Sequence, residues 1–326
     1  MSVFASTLEQ MLVLFVVLLI GLLARRLKLM DDRFDTMLSA LVMNVTLPAM
    51  ILASVLGSDE LPAASVIGEL LVCSLLAYSL VIAVAELLPR ILYRTAPSGE
   101  RGAHSFAIAF GNVSFMGFPV VDAVFGPEAV FYASVFNIPF NLFVFTYGVA
   151  TLKRAERPGL FDSVTEQPRS AGETAKSLAK SVVNPCFVAS FIAIFLALFG
   201  VTDAQGVVGT ACDTLGQFTT PASLLVIGSR LGKMSLSSVL GHVRPYVTSL
   251  LRLLAVPLLV FFLFGLFVDD ALVLGVMTLC SGMPVASMGT MLSLVHGGDV
   301  DTIATITFVS TVLSILTIPL LAMLVI

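Results

Sequence analysis

At 326 residues, with 58% hydrophobic and only 12% charged residues and a mean hydropathy of +1.03, the chain is far too apolar for a soluble domain and reads as an integral membrane protein. Its net charge of -4 comes with no basic run interleaved with aromatics, which excludes nucleic-acid binding. The four cysteines (Cys73, Cys186, Cys212, Cys280) lack close spacing and the three histidines (His104, His242, His296) lie far apart near loop ends, so packing and interfacial roles are expected and no metal or cofactor.

Crossing about 30 Å of hydrocarbon takes roughly 20 apolar residues, and ten runs of that kind follow one another. They are Leu8 to Ala24, Thr36 to Leu56, Ala64 to Leu88, Ala103 to Val121, Ala129 to Leu152, Val182 to Gly200, Val207 to Gly228, Tyr246 to Phe267, Ala271 to Leu294 and Thr302 to Ile326. The uninterrupted apolar part of the first, Met11 to Ala24, is preceded by Glu9 and followed by Arg25, Arg26 and Lys28, the reverse of a signal peptide, so it is read as a spanning helix. Arg33, Arg90, Arg94, Arg101, Lys153, Arg230 and Arg244 continue the pattern: Lys and Arg collect in the odd-numbered loops, and Arg252 is read as belonging to the same end of span eight. The even-numbered loops, such as Gly57 to Glu60 and Asp122 to Glu128, have none. By the positive-inside rule the odd loops are cytoplasmic. The expectation is a multi-pass protein of the inner (plasma) membrane with both termini outside, in the periplasm.

The polar stretch 153–181 separates residues 1–152 from 182–326, five spans each. An odd number of spans per half inserts the second half upside down, as an inverted repeat. Thr46-Leu47-Pro48-Ala49 in span two answers Thr219-Thr220-Pro221-Ala222 in span seven, and Asn137-Ile138-Pro139 in span five answers Thr317-Ile318-Pro319 in span ten. Spans four and nine carry helix breakers: Gly111-Asn112-Val113-Ser114-Phe115-Met116-Gly117-Phe118-Pro119 and Ser281-Gly282-Met283-Pro284-Val285-Ala286-Ser287. Irregular backbone at membrane depth survives only inside protein or along a wet cavity, and paired broken helices mark a transporter's substrate site.

These stretches, with Asn44-Val45-Thr46-Leu47-Pro48-Ala49, Asn184-Pro185 and Thr219-Thr220-Pro221-Ala222-Ser223-Leu224, resemble the auxin efflux carrier family over nearly the whole chain. The resemblance implies an all-α membrane protein of ten transmembrane helices in two inverted five-helix repeats, with helices four and nine broken and crossing, as in sodium/bile-acid symporters. It implies a scaffold of helices one, two, six and seven, a transport domain of helices three to five and eight to ten, and a homodimer. The function it implies is secondary active transport of a small organic anion, a carboxylate, by an elevator-like alternating-access mechanism. A sodium-coupled carrier of the bile-acid symporter type is the alternative. An intramembrane enzyme is the rival from another class, but no nucleophile elbow, aspartate pair or His-Glu zinc pattern occurs.

If the broken helices meet at Pro119 and Pro284, their free N–H groups suit a carboxylate and their free carbonyls suit a cation, without a buried Arg or Lys. Asn112 either donates to the substrate or satisfies the broken backbone. Ser114, Ser281 and Ser287 supply hydroxyls for substrate or for packing, and Gly117, Pro119, Gly282 and Pro284 are expected in the substrate site with them. Asn44 and Thr46, like Thr219 and Thr220, line the same cavity or cap proline kinks. Asn137 and Asn141, one turn apart, form a polar stripe toward the site. Glu69 and Asp213, carboxylates within apolar runs, are candidates for proton or sodium coupling, with snorkelling to water as the other reading.

Overall fold

The computed structural model describes residues 3–58, 61–153, 184–203, 206–233 and 243–325, and these are mostly helical. The helices are α1 (Val3–Arg26), α2 (Asp32–Leu56), α3 (Ala64–Leu92), α4 (Ser98–Ala109), α5 (Val113–Phe125), α6 (Ala129–Leu152) and α7 (Pro185–Leu198). They continue with α8 (Val207–Gln217), α9 (Thr219–Lys233), α10 (Val243–Phe264), α11 (Ala271–Ser281), α12 (Met288–His296) and α13 (Val300–Val325). Among the described residues α2, α3, α6, α10 and α13 are long and apolar enough to cross a membrane, and α5, α7 and α11 are shorter apolar helices. Large hydrophobics such as Leu76, Phe195, Phe262 and Leu316 stand exposed on the outer faces, where lipid and not water suits them. The polar stretch 153–181 lies, apart from Lys153, outside the described residues.

Helix starts follow local chemistry. The Asp31 side chain accepts from Phe34 N, Asn184 accepts from Phe187 N ahead of Pro185, and Asp270 accepts from Leu272 N, each satisfying a free donor of the first turn. Close packing rests on small residues. A methyl group on Gly228 would come within 1.9 Å of the Leu18 carbonyl oxygen, and one on Gly21 within 2.3 Å of the Leu225 carbonyl oxygen. Helices α1 and α9 therefore pack backbone against backbone. Helix α2 packs on both α7 and α8, and it runs antiparallel to α8 and α9: Leu56 O accepts from Asp203 N near one end, while Asp35 accepts from Ser229 near the other.

Three prolines sit just beyond a π turn. Val42–Thr46 precedes Pro48, Val113–Gly117 precedes Pro119, and Leu251–Ala255 precedes Pro257. In a regular helix the proline ring meets the carbonyl four residues back, and the wider turn relieves that contact. This corrects one expectation. The interruption in span four covers Phe110 to Asn112, and Pro119 lies inside helix α5. The second interruption covers Gly282 to Ser287, much as the residues indicate.

Candidate functional site

The two interruptions touch. Asn112 N donates to Pro284 O at 2.7 Å and Ala286 N donates to Phe110 O at 3.0 Å, an antiparallel bridge centred on Gly111 and Val285. Each break thus satisfies backbone groups that the other leaves free, a requirement wherever water is scarce. The meeting point is Gly111 with Val285, and not Pro119 with Pro284 as the sequence suggests, because Pro119 is absorbed by the π turn. Gly117 still matters to the approach: a methyl group there would meet Met283 Cγ at 3.2 Å. Gly282 is pressed against Leu321 and Pro257 in the same way. Ser310 of α13 props the second break by accepting from Val285 N at 3.1 Å while donating to Thr307 O at 3.0 Å.

A cation does occupy this crossing, against the expectation that backbone alone serves it. Arg252, on the π turn of α10, is 3% exposed. Its Nε donates to Met283 O at 3.0 Å, and its Nη1 donates to Ile108 O at 3.0 Å and Ala109 O at 3.4 Å. The guanidinium caps the carbonyl end of α4 and ties it to the second break. Hydropathy along the chain places Arg252 near the basic loops. Its depth is set instead by these carbonyls, which a one-dimensional reading does not bring together. A cavity of about 10 Å³, the size of one water, lies beside it, lined by Tyr78, Phe136, Cys280 and Ser281 among others.

A chain of amides and a hydroxyl runs from the first break. Asn137 Nδ2 donates to Ser114 Oγ at 3.1 Å, Asn141 Nδ2 reaches Asn137 O at 3.5 Å, and Asn184 Nδ2 donates to Asn141 Oδ1 at 2.7 Å. The Asn137 Oδ1 is buried with no partner. So are the hydroxyls of Thr46, Thr219, Thr220 and Ser223. Helix α9, which carries three of these, touches the π turns of both α2 and α5. Unpaired buried acceptors and hydroxyls are costly unless a ligand or water meets them.

Other predicted residues lie elsewhere. Asn112 and Ser287 are half-buried at the breaks and Ser281 is buried beside Arg252. Asn44 is exposed and spends its amide on Ala40 O at 2.7 Å within its own helix. Glu69 is exposed on α3. Asp213 is also exposed, bonded to Gln217, and lines an open cavity of about 560 Å³ together with Asp122, Glu128, Ser54 and Thr210. The structure does not bring either carboxylate to the crossing. That cavity opens at the C-terminal end of α2, whereas Arg25, Asp32, Asp35 and Arg230 gather at its N-terminal end.

His104, expected at an interface, is fully buried. Its Nδ1 shares a 2.7 Å hydrogen bond with Thr248 Oγ1, and its ring lies 4.3 Å from that of Tyr93, whose hydroxyl reaches the same threonine at 2.8 Å. Burial raises the Tyr93 phenol above its usual range, which keeps its proton in place for these bonds.

The model of the family described as "Membrane transport protein", the auxin efflux carriers, matches residues 6–322. The chain belongs to that family. An uncharacterized transporter of Methanothermobacter thermautotrophicus is 24% identical to this auxin efflux carrier family member over 318 residues, 98% of each chain. Family membership makes it a membrane transport protein, and the polar, broken backbone at the centre of an apolar helical body is what such a protein needs in order to handle a hydrophilic solute.

Proposed function

We propose that this protein is a secondary active transporter that moves a small organic anion, a carboxylate, across the inner membrane by an elevator-like alternating-access mechanism. The observation that carries the reading is the reciprocal bonding of the two helix breaks, Asn112 to Pro284 and Ala286 to Phe110. Breaks held together in this way give a compact place where peptide dipoles face a ligand.

The local antiparallel pairing, in which 110 faces 286 and 112 faces 284, supports two inverted five-helix repeats. Paired contacts support it too: α1 lies on α9 as α7 lies on α2, α3 on α4 as α10 on α11, and α4 on α13 as α11 on α6. In this reading α1, α2, α7, α8 and α9 are the scaffold, and the remaining helices move. The substrate binds among Asn112, Ser114, Asn137, Ser281, Ser287 and the unpaired hydroxyls of Thr46, Thr219 and Thr220. The basic end of α2 faces the cytoplasm and the acidic cavity faces outside. The working unit is a homodimer.

Uptake of labelled malate, malonate and an aromatic acid into proteoliposomes tests this. Accumulation of at least one acid in the native protein, with a loss of about tenfold or more in Asn112→Ala at unchanged melting temperature, is expected. An equal rate in empty liposomes and in native-protein liposomes for every acid refutes the proposal.

A further inference from the structure

Three carbonyl oxygens converge at the crossing: Ile108 and Ala109 from the last turn of α4, and Met283 from the second break. Carbonyls at half-helix C-termini and in unwound segments carry partial negative charge, and in broken-helix carriers such a set coordinates the coupling cation. In this chain two nitrogens of Arg252 already bond to all three.

We propose that Arg252 is a resident cation standing where a coupling cation would otherwise bind, so that the protein works without sodium and meets its substrate with a permanent positive charge. This rests on the transporter reading above. A guanidinium stays protonated under any physiological condition and presents its donors in a fixed planar fork, so it does not come and go as a dissolved ion does. The fit is tight: a methyl group on Gly111 would sit 1.9 Å from Nη2. Among the described residues no carboxylate forms an ion pair with Arg252, and its bonds are to neutral carbonyls. Among the described residues the guanidinium therefore has no anionic side-chain partner, the role a carboxylate substrate would take. Ser281 lines the water-sized cavity beside Arg252 and adds a hydroxyl next to the guanidinium.

The test uses purified full-length protein and measures melting temperature at constant ionic strength while sodium chloride replaces choline chloride. Uptake of the labelled acids is measured in the same two salts. Native protein is expected to melt at the same temperature in both, and to transport at rates within about twofold. Arg252→Ala is expected to melt lower, with a saturable recovery of about 3 °C or more in sodium or guanidinium chloride but not in choline chloride. A saturable sodium-specific rise in the native protein overturns the assignment, as does a folded Arg252→Ala variant that responds to no cation. The native titration decides the matter even if that variant does not fold. Uptake that requires sodium overturns the assignment and leaves the carrier reading intact. Absence of any uptake with sodium-insensitive melting overturns the carrier reading and with it the transport role given to Arg252, and supports only its place as the resident cation on the three carbonyls.

Discussion

Gly111 lies so close under the Arg252 guanidinium that its Cα has no room for a methyl group: the added carbon would stand 1.9 Å from Nη2 and 3.0 Å from the Met283 carbonyl oxygen. Because Arg252 is tied to three carbonyls, it cannot swing aside without losing them. Gly111→Ala is expected to cost about 1–3 kcal/mol by overpacking and to suppress transport. A melting curve beside an uptake assay checks both, and a fully active Gly111→Ala would show that the close approach is not needed.

Thr248 serves two buried partners at once, His104 Nδ1 and the Tyr93 hydroxyl. Thr248→Val keeps the shape and removes the hydroxyl, leaving His104 Nδ1 unpaired at about 1–3 kcal/mol, while the Tyr93 hydroxyl keeps Arg244 O at 3.2 Å. Its melting temperature is expected to fall clearly, and that of Tyr93→Phe by less, since Phe removes the bonds to Thr248 and Arg244 O but leaves Thr248 its bond to His104.

The α1–α9 contact gives a control away from the crossing. With Leu18 O only 1.9 Å from a methyl group on Gly228, Gly228→Val must push two backbones apart. Loss of monodisperse protein on size exclusion is expected, while Gly126→Ala, where no atom lies within 4 Å of the added carbon, is disfavoured only by its positive φ of 91°.

Asp122, Glu128 and Asp213 line the open cavity, and their charge opposes an anion entering from that end. Asp213→Asn is expected to raise initial anion uptake about twofold at low ionic strength. The gain should vanish at high salt, because the residue is exposed and screened. Rates measured from 10 mM to 0.5 M salt decide it, and a gain that persists in high salt would contradict a long-range electrostatic origin.

Asn137 joins Ser114 through its amide nitrogen while its oxygen lacks a partner. If that oxygen meets the substrate's hydroxyl or a bound water, Asn137→Ala raises KM several-fold, and Asn137→Asp raises it further by adding a like charge. Concentration-dependent uptake separates the two variants.

The helical body is easy to read from composition, because an apolar run has one way to satisfy its backbone without water. The helix breaks are legible for the same reason, since Gly111 and Asn112, like Gly282 and Pro284, weaken a helix wherever they stand. Their limits are less so. Pro119 looks like the strongest breaker in the chain, yet the wide turn over Val113–Gly117 carries the helix through it, and that turn leaves no mark in residue type. Arg252 reads as one more residue of the basic end, and its place at the crossing is invisible in the sequence because its partners lie 31 and about 144 positions away. Asn141 and Asn184 each look like an isolated polar residue, and only folding joins them.

The link between the breaks is made of main chain alone, from Asn112 N to Pro284 O and from Ala286 N to Phe110 O. These two bonds themselves ask nothing of the side chains at 110, 112, 284 and 286, while Arg252, Ser310 and the room at Gly111 brace them from outside. The side chains at 112, 284 and 286 can therefore be exchanged one at a time, and a new solute preference can arise there without unfastening the two breaks.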